Sequence, residues 1–258
     1  MNRNIKILLI VSIIIGASVG IYEFILPYYL KEQGVSFEKM GYIFSISTIA
    51  MFVVRILSGR LADTWGRKRV YVVGVLSCAL ATLLTPLTAS IILLILLKTT
   101  RDVGMLMRDT VHPILIYEEN RSKFMNFIGK TRGMEFLFQA AGTTIAGASF
   151  IVLGTSKNLW LAGGLVFVAL LFLALGLQNK PLEEIKHNNV KTTLLSLNLP
   201  KNLKIIMAAN FIFSIGLSIS HSFIMPLFFS EKFQVSEGMV SIVMVIHRIM
   251  LALPMLVI

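Results

Sequence analysis

An all-α bundle of helices that crosses a membrane several times is the fold class this sequence predicts, and three observations carry it. Of the 258 residues, 56% are hydrophobic and 14% charged, where soluble domains carry roughly a quarter charged residues. The mean hydropathy is +0.81, more apolar surface than a soluble core could hide. The cations fall in short breaks between apolar runs, each run near the ~20 residues needed to cross a bilayer. A net charge of +11 on one soluble face would suggest nucleic acid. Spread through those breaks, it fits membrane topology instead, so the lipid bilayer is an expected partner and nucleic acid is not. The single cysteine, Cys78, lies inside an apolar run, which leaves no disulfide framework and no thiolate metal cluster. No metal or cofactor is expected.

Taken in order, Arg3 and Lys6 precede an apolar run that starts at Ile7, passes Gly16-Ala17-Ser18 and continues to Leu30. It is too long for a cleaved signal and reads as the first span. Gly16-Ala17-Ser18-Val19-Gly20 fits the hydrolase pattern Gly-x-Ser-x-Gly, but a nucleophile elbow needs a strand before it and a helix after it. Inside one helix, Gly16 and Gly20 serve close packing. The second span covers about 40–59 and the third 70–89. A fourth starts at Ser90 and carries Lys98, Arg101, Asp102, Arg108 and Asp109 before ending near Tyr117. The fifth and sixth cover about 133–153 and 160–177, the seventh about 205–229 and the eighth about 239–258. The longest polar break separates the last two from the rest. Residues 1–178 are thus expected to form a six-helix membrane unit, 179–204 a cytoplasmic linker, and 205–258 an incomplete second unit of two helices.

Orientation follows from the cations. With the N-terminus inside, fifteen Lys and Arg fall on the inner side and four on the outer, with Arg55, Lys98, Arg101, Arg108 and Arg248 left within helices. The expected placement is a multi-pass protein of the cell membrane with a cytoplasmic N-terminus.

Between the second and third spans lies Gly59-Arg60-Leu61-Ala62-Asp63-Thr64-Trp65-Gly66-Arg67-Lys68-Arg69-Val70. It reads as a tight inner connection. Gly59 lets a helix end close to its neighbour, Gly66 supplies the positive φ of a sharp reversal, and Asp63 accepts from free helix-end amides. Arg67, Lys68 and Arg69 hold the loop inside. This pattern resembles the signature loop between helices two and three of the major facilitator superfamily. An internal repeat agrees: Phe24-Ile25-Leu26-Pro27 reappears as Phe223-Ile224-Met225-Pro226, Glu32 as Glu231, Val35-Ser36 as Val235-Ser236, and Ile46 as Ile246. The resemblance implies two parallel halves of six helices. In that register Ile258 corresponds to Ser58, so the chain reads as the first half plus two helices of the second, truncated after the eighth helix.

Charges inside the bilayer are candidate function by default. At 1.5 Å per residue, Arg101 and Asp102 lie about 16–18 Å into the fourth span, near mid-membrane. Lys98 and Asp102 are four apart and pair on one face. Arg101-Asp102-Val103-Gly104 resembles the superfamily's Arg-x-x-Gly element, whose arginine is associated with the central cavity and proton coupling; Arg101 and Gly104 carry over. Arg108 and Asp109, nearer the inner surface, are expected to pair with Arg55 and Asp63 as part of a conformational switch around the signature loop. Gly142-Thr143-Thr144-Ile145-Ala146-Gly147 stands where the family's drug antiporters have Gly-Pro-x-x-Gly-Gly, with Thr143 for the proline, while Pro27-Tyr28-Tyr29-Leu30 followed by Gly34 resembles the first-helix pattern of those exporters. Glu23 sits about 27 Å along the first span, close to the outer surface, as a snorkelling carboxylate or a cavity residue. Tyr22 and its repeat mate His221 lie on helices that line the cavity in the family, and Arg248 lies near mid-membrane in the eighth span, facing the cavity or another helix.

The reading favoured by these residues is a secondary transporter that binds a small solute near Arg101, Asp102, Lys98, Tyr22, Glu23, His221 and Arg248 and exposes the site to each side in turn. The cations suit a solute with an anionic group, and Glu23 or Asp102 is the candidate carrier of a coupled proton. An enzyme embedded in the membrane is the alternative from another class, but it needs a His-Glu-x-x-His pair or a comparable motif that the sequence lacks. A remnant that transports nothing is the third reading.

Overall fold

The computed structural model describes residues 2–177, 202, 205, 208, 209, 212 and 224–257. Among them the chain forms helices α1 (Arg3–Glu32), α2 (Phe37–Trp65), α3 (Arg67–Leu84), α4 (Ile91–Glu119), α5 (Phe124–Gly176), α6 (Ile224–Lys232) and α7 (Glu237–Val257), and no strand. The bulk of the linker expectation, 179–204, and His221 lie outside the described residues. Five helices are long and apolar enough to cross a membrane: α1, α2, α3, α5 and α7. The 29-residue α4 is long enough but interrupted by its five central charges. Large apolar side chains such as Ile151, 93% exposed, and Leu175, 82% exposed, cover the outside of the bundle, as lipid rather than water requires.

The turns explain where the helices stop. Gly34, with φ 72°, ends the α1 register, and Ser36 caps α2 by accepting from the Lys39 amide at 3.4 Å. Between α2 and α3 the reversal rests on Gly66 alone, at φ 92°. The connecting motif is shorter than its sequence suggests, because α2 stays helical through Trp65. Gly59 therefore lies inside a helix with open space where its Cβ would be, not at a close helix end, and Asp63 is an exposed residue of the last turn instead of a cap. Pro86 tightens the end of α3 into a short 3-10 turn, whose carbonyls at Thr85 and Thr88 accept from the Tyr29 hydroxyl at 3.2 and 2.9 Å. The Asn120 side chain organises the α4–α5 turn by accepting from the Lys123 amide at 3.0 Å.

The fifth and sixth spans are two arms of α5 folded back at Gly154, whose φ 68° and ψ −177° only glycine adopts readily. The Asn158 side chain donates to the Gly154 carbonyl at 2.8 Å and accepts from Ser149 at 2.8 Å, tying the arms together across the bend. The second arm begins at 155 rather than at Trp160, so the turn between the arms is a single residue.

Glycines set the helix spacing. In lipid there is little hydrophobic drive between helices, and close van der Waals approach of small residues takes its place. A Cβ at Gly16, Gly20 or Gly142 would land on the carbonyls of Glu135, Gln139 or Ala17, which places α1 directly against the first arm of α5. Gly74 and Gly104 do the same for α3 and α4, and Gly147 leaves room for Ser241 of α7.

The repeated sequence is also a repeated conformation. One residue before Val35 and Val235 the backbone takes a positive φ, 72° at Gly34 and 52° at Gln234, and each valine amide returns to a carbonyl of the preceding helix, Leu30 at 3.0 Å and Phe229 at 3.4 Å. Lys31 and Glu231 pair at 2.5 Å across the two turns.

Replacing Gly142 by Ala is expected to cost about 1–3 kcal/mol, because the new methyl must displace the Ala17 backbone. Gly164→Ala, in open space on the second arm, is expected to be neutral or stabilising by up to about 1 kcal/mol. Thermal unfolding of the two detergent-solubilised variants checks this, and equal losses would contradict the packing described.

Candidate functional site

The charges of α4 form layers along its length, and each layer is met by different helices. In the first half of α4, Lys98 pairs with Asp102 as their spacing predicts, and Asp102 also accepts from the Ser47 hydroxyl of α2 and from Arg101 Nη1 at 3.3 Å. The Arg101 guanidinium lies over the Tyr22 ring of α1, 3.5 Å from its centroid, and Lys98 lies 4.8 Å from the centroid of Phe44. Arg101 is 4% exposed, yet its Nε and Nη2 find no acceptor among the described residues.

Two turns further along, Arg108 is fully buried and fully satisfied. Its Nη1 donates to Glu135 at 2.6 Å and to Asp109 at 2.8 Å, Nη2 to Glu135 at 2.9 Å and to Ser12 at 3.1 Å, and Nε to the Tyr71 hydroxyl at 3.4 Å. A guanidinium has five N–H groups, and here every one has an acceptor. Arg132 adds contacts to Asp109 at 3.2 Å and to Glu135 at 3.3 Å. Tyr71 in turn lies 3.1 Å from Nδ1 of the buried His112.

The third group joins α7 to the rest. Arg248 donates to Glu23 of α1 at 2.8 Å and to Gln139 of α5 at 2.9 Å. All three groups border one cavity of about 440 Å³, walled by α1, α2, α4 and the first arm of α5. Its lining includes Tyr22, Glu23, Arg55, Lys98, Arg101, Asp102, Asp109 and Glu135.

One expected partnership is corrected here. Arg108 and Asp109 do not pair with Arg55 and Asp63; their partners are Glu135 and Arg132. The physical reason is depth: Asp63 sits exposed at the end of α2, whereas a buried guanidinium needs a carboxylate that is buried with it. Of the two places left open for Glu23, the surface and the cavity, it takes the cavity, where it meets Arg248. In the connecting motif Arg67 pairs with Glu118, and Lys68 donates to the Leu177 carbonyl at the end of α5. Arg69 is exposed.

Sequence reasoning missed Glu135, Gln139, Ser47 and Arg132. Glu135 had a detectable signal, a lone carboxylate in an apolar run, which marks functional or structural charge pairing in a membrane. The other three are ordinary polar residues that acquire a role only through their neighbours in space.

A helical bundle with membrane-length spans and a charged internal cavity defines the class of multi-pass membrane proteins that handle polar solutes. The Major Facilitator Superfamily profile matches residues 8–258, and the chain belongs to that superfamily of transporters. Over 78 residues it is 31% identical to a probable sulfoacetate transporter, SauU, of Cupriavidus necator, a match spanning 30% of this chain and 18% of that protein. The solved structure of the nucleoside transporter NupG superposes with a TM-score of 0.71 at 21% identity, covering 98% of this chain and 67% of the other, and shows the fold.

Removing one partner of a buried pair leaves an uncompensated charge. Glu135→Ala is therefore expected to cost about 3–5 kcal/mol of stability, read as a large fall in the thermal midpoint in detergent. Glu231→Ala, which breaks the exposed pair with Lys31, is expected to cost under about 1 kcal/mol.

Proposed function

We propose that the chain carries a small anionic solute across the cytoplasmic membrane by alternating access around the α4 cavity. The observation that supports this most directly is the contrast between its two buried arginines. Arg108 makes five hydrogen bonds to fixed acceptors and is bound into the structure. Arg101, almost as deeply buried, makes one such bond and rests on an aromatic ring.

Charge counting agrees. Arg108 and Arg132 face Asp109 and Glu135, and Arg248 faces Glu23, so both groups are neutral. Lys98 and Arg101 share the single carboxylate of Asp102 and leave one positive charge in excess at mid-membrane. Buried donors without acceptors cost about 1–3 kcal/mol each, and a carboxylate, sulfonate or phosphate relieves that cost when Arg101 turns from Tyr22 toward it. A relative named for sulfoacetate is in keeping with such a cargo.

In this reading the N-terminus faces the cytoplasm, and the two halves rock against each other across the Glu23–Arg248–Gln139 contact, which joins α1 and α5 to α7. Glu23 is the better placed of the two candidate proton carriers. It has one cationic partner, on a helix of the other half, and its side chain is 30% exposed, whereas Asp102 is held by Lys98, Arg101 and Ser47 at once.

Proteoliposome flux tests the proposal. Arg101→Ala is expected to lower anion flux by at least about a hundredfold while the fold survives, because the lost charge-assisted contacts are worth about 3 kcal/mol. Glu23→Gln is expected to keep solute exchange but lose its response to an imposed pH gradient. Unchanged flux in Arg101→Ala would remove α4 from the solute path, and the absence of flux in the unsubstituted chain would favour the remnant reading.

A further inference from the structure

At the end of the bundle that carries the Gly66 turn, a groove of about 660 Å³ runs between α1 and the last turns of α5. Its walls are Ile7, Ile10, Leu171, Phe172 and Leu175, and its mouth is formed by Arg3 and Lys6. Gly176 lets α1 and α5 meet at the groove, since a Cβ there would lie 2.7 Å from the Ile7 side chain. Bare apolar walls are ordinary on a membrane-facing surface. Two cations at the mouth of an apolar furrow are not, because their charge meets no carboxylate among the described residues. Arg3 and Lys6 are exposed and form no ion pair among the described residues. Two nearby carboxylates have other partners: Glu119 accepts from Asn4 at 2.8 Å and from Asn2 at 3.3 Å, and Glu118 pairs with Arg67.

A second groove of about 590 Å³ lies on the other side of the same arm, lined by Trp65, Lys68, Arg69, Val72, Val73 and Ala174. It repeats the design, with cations at the rim, apolar walls below, and an indole of the kind that settles at the headgroup level. The tip of α5 is thus flanked on both sides by basic, apolar-walled furrows.

From this geometry we infer that the α1–α5 groove is a binding site for an anionic phospholipid, with the phosphodiester at Arg3 and Lys6 and an acyl chain along Ile7, Ile10, Leu171 and Leu175. The chemistry follows from the two surfaces together: the cations select a negative headgroup, and the apolar walls select a molecule that carries hydrocarbon directly beneath it. A soluble anion satisfies the first and wastes the second. The site is remote from the solute cavity and does not depend on the identity of the cargo.

The test is titration of the full chain, purified in detergent, with dioleoyl phosphatidylglycerol and dioleoyl phosphatidylcholine, with bound lipid counted by native mass spectrometry. A basic residue near an anionic lipid surface is worth about a factor of five in affinity, so Arg3→Gln with Lys6→Gln is expected to weaken phosphatidylglycerol binding about thirtyfold. Lys123→Gln with Lys130→Gln removes the same charge from exposed positions outside the groove and is expected to change binding less than about twofold. An equal loss in both double variants would mean general surface attraction and overturn the site. So would equal binding of phosphatidylcholine by the unsubstituted chain, or displacement of the lipid by glycerol phosphate at the same concentration.

Discussion

Arg108 sits at the crossing of α1, α3, α4 and α5 with no exposed surface, and its guanidinium is answered donor by donor from those helices. A lone cation at that depth would cost several kcal/mol, a large share of the folding free energy of a small domain, so the fold gains much by bringing it acceptors. That requirement orders the bundle. It pulls Glu135 of α5 onto α4, brings Ser12 of α1 and Tyr71 of α3 to the same point, and fixes the rotation of α4 about its axis. With that rotation set, Lys98, Arg101 and Asp102 have to face α2 and the cavity. The glycine contacts of α1 with α5 and of α3 with α4 make the approach close enough for these bonds to form.

Structure and mechanism therefore divide the charges of one helix. The lower layer is closed, with cations and carboxylates in equal number and each donor of Arg108 used. The middle layer is left one negative charge short, inside a cavity wide enough for a small molecule. The Glu23–Arg248 bond connects the first helix to the last described one. The lipid furrows at the Gly66 end belong to a different surface and a different partner, and they flank the same α5 whose first arm builds the cavity.

Much of this was legible in the residues. Hydropathy put the first six spans and the eighth on helices, since a bilayer demands length and apolarity, while most of the seventh, 205–229, lies outside the described residues. The Lys98–Asp102 pair followed from a spacing of four on a helix, and the positive φ of Gly66 from the need for a sharp reversal. Gly16 and Gly20 were recognised as packing residues because an unbroken helix could not be a nucleophile elbow. What stayed hidden were the long-range partners. Nothing local tells Arg108 to choose Glu135 over Asp63, or Arg248 to reach across more than two hundred residues to Glu23. The end of α2 was misplaced for a related reason: a run of charged residues looks like a loop, yet Arg, Leu, Ala and Trp continue a helix well and Gly66 alone suffices to end it. The one-residue bend at Gly154 was invisible because polar residues after it, from Thr155 to Asn158, imitate a longer connection.

The central claim is that mid-membrane charge is left for a solute to complete. It is tested most directly by ligand-dependent thermal stabilisation of the purified chain, comparing small organic sulfonates and carboxylates with neutral and cationic analogues of matched size. Binding to the folded state raises the midpoint in proportion to the logarithm of ligand concentration over Kd. The expected result is stabilisation by anions alone, abolished by Arg101→Gln and retained in Lys123→Gln. Equal stabilisation by neutral analogues, or an anion effect that survives Arg101→Gln, would contradict it.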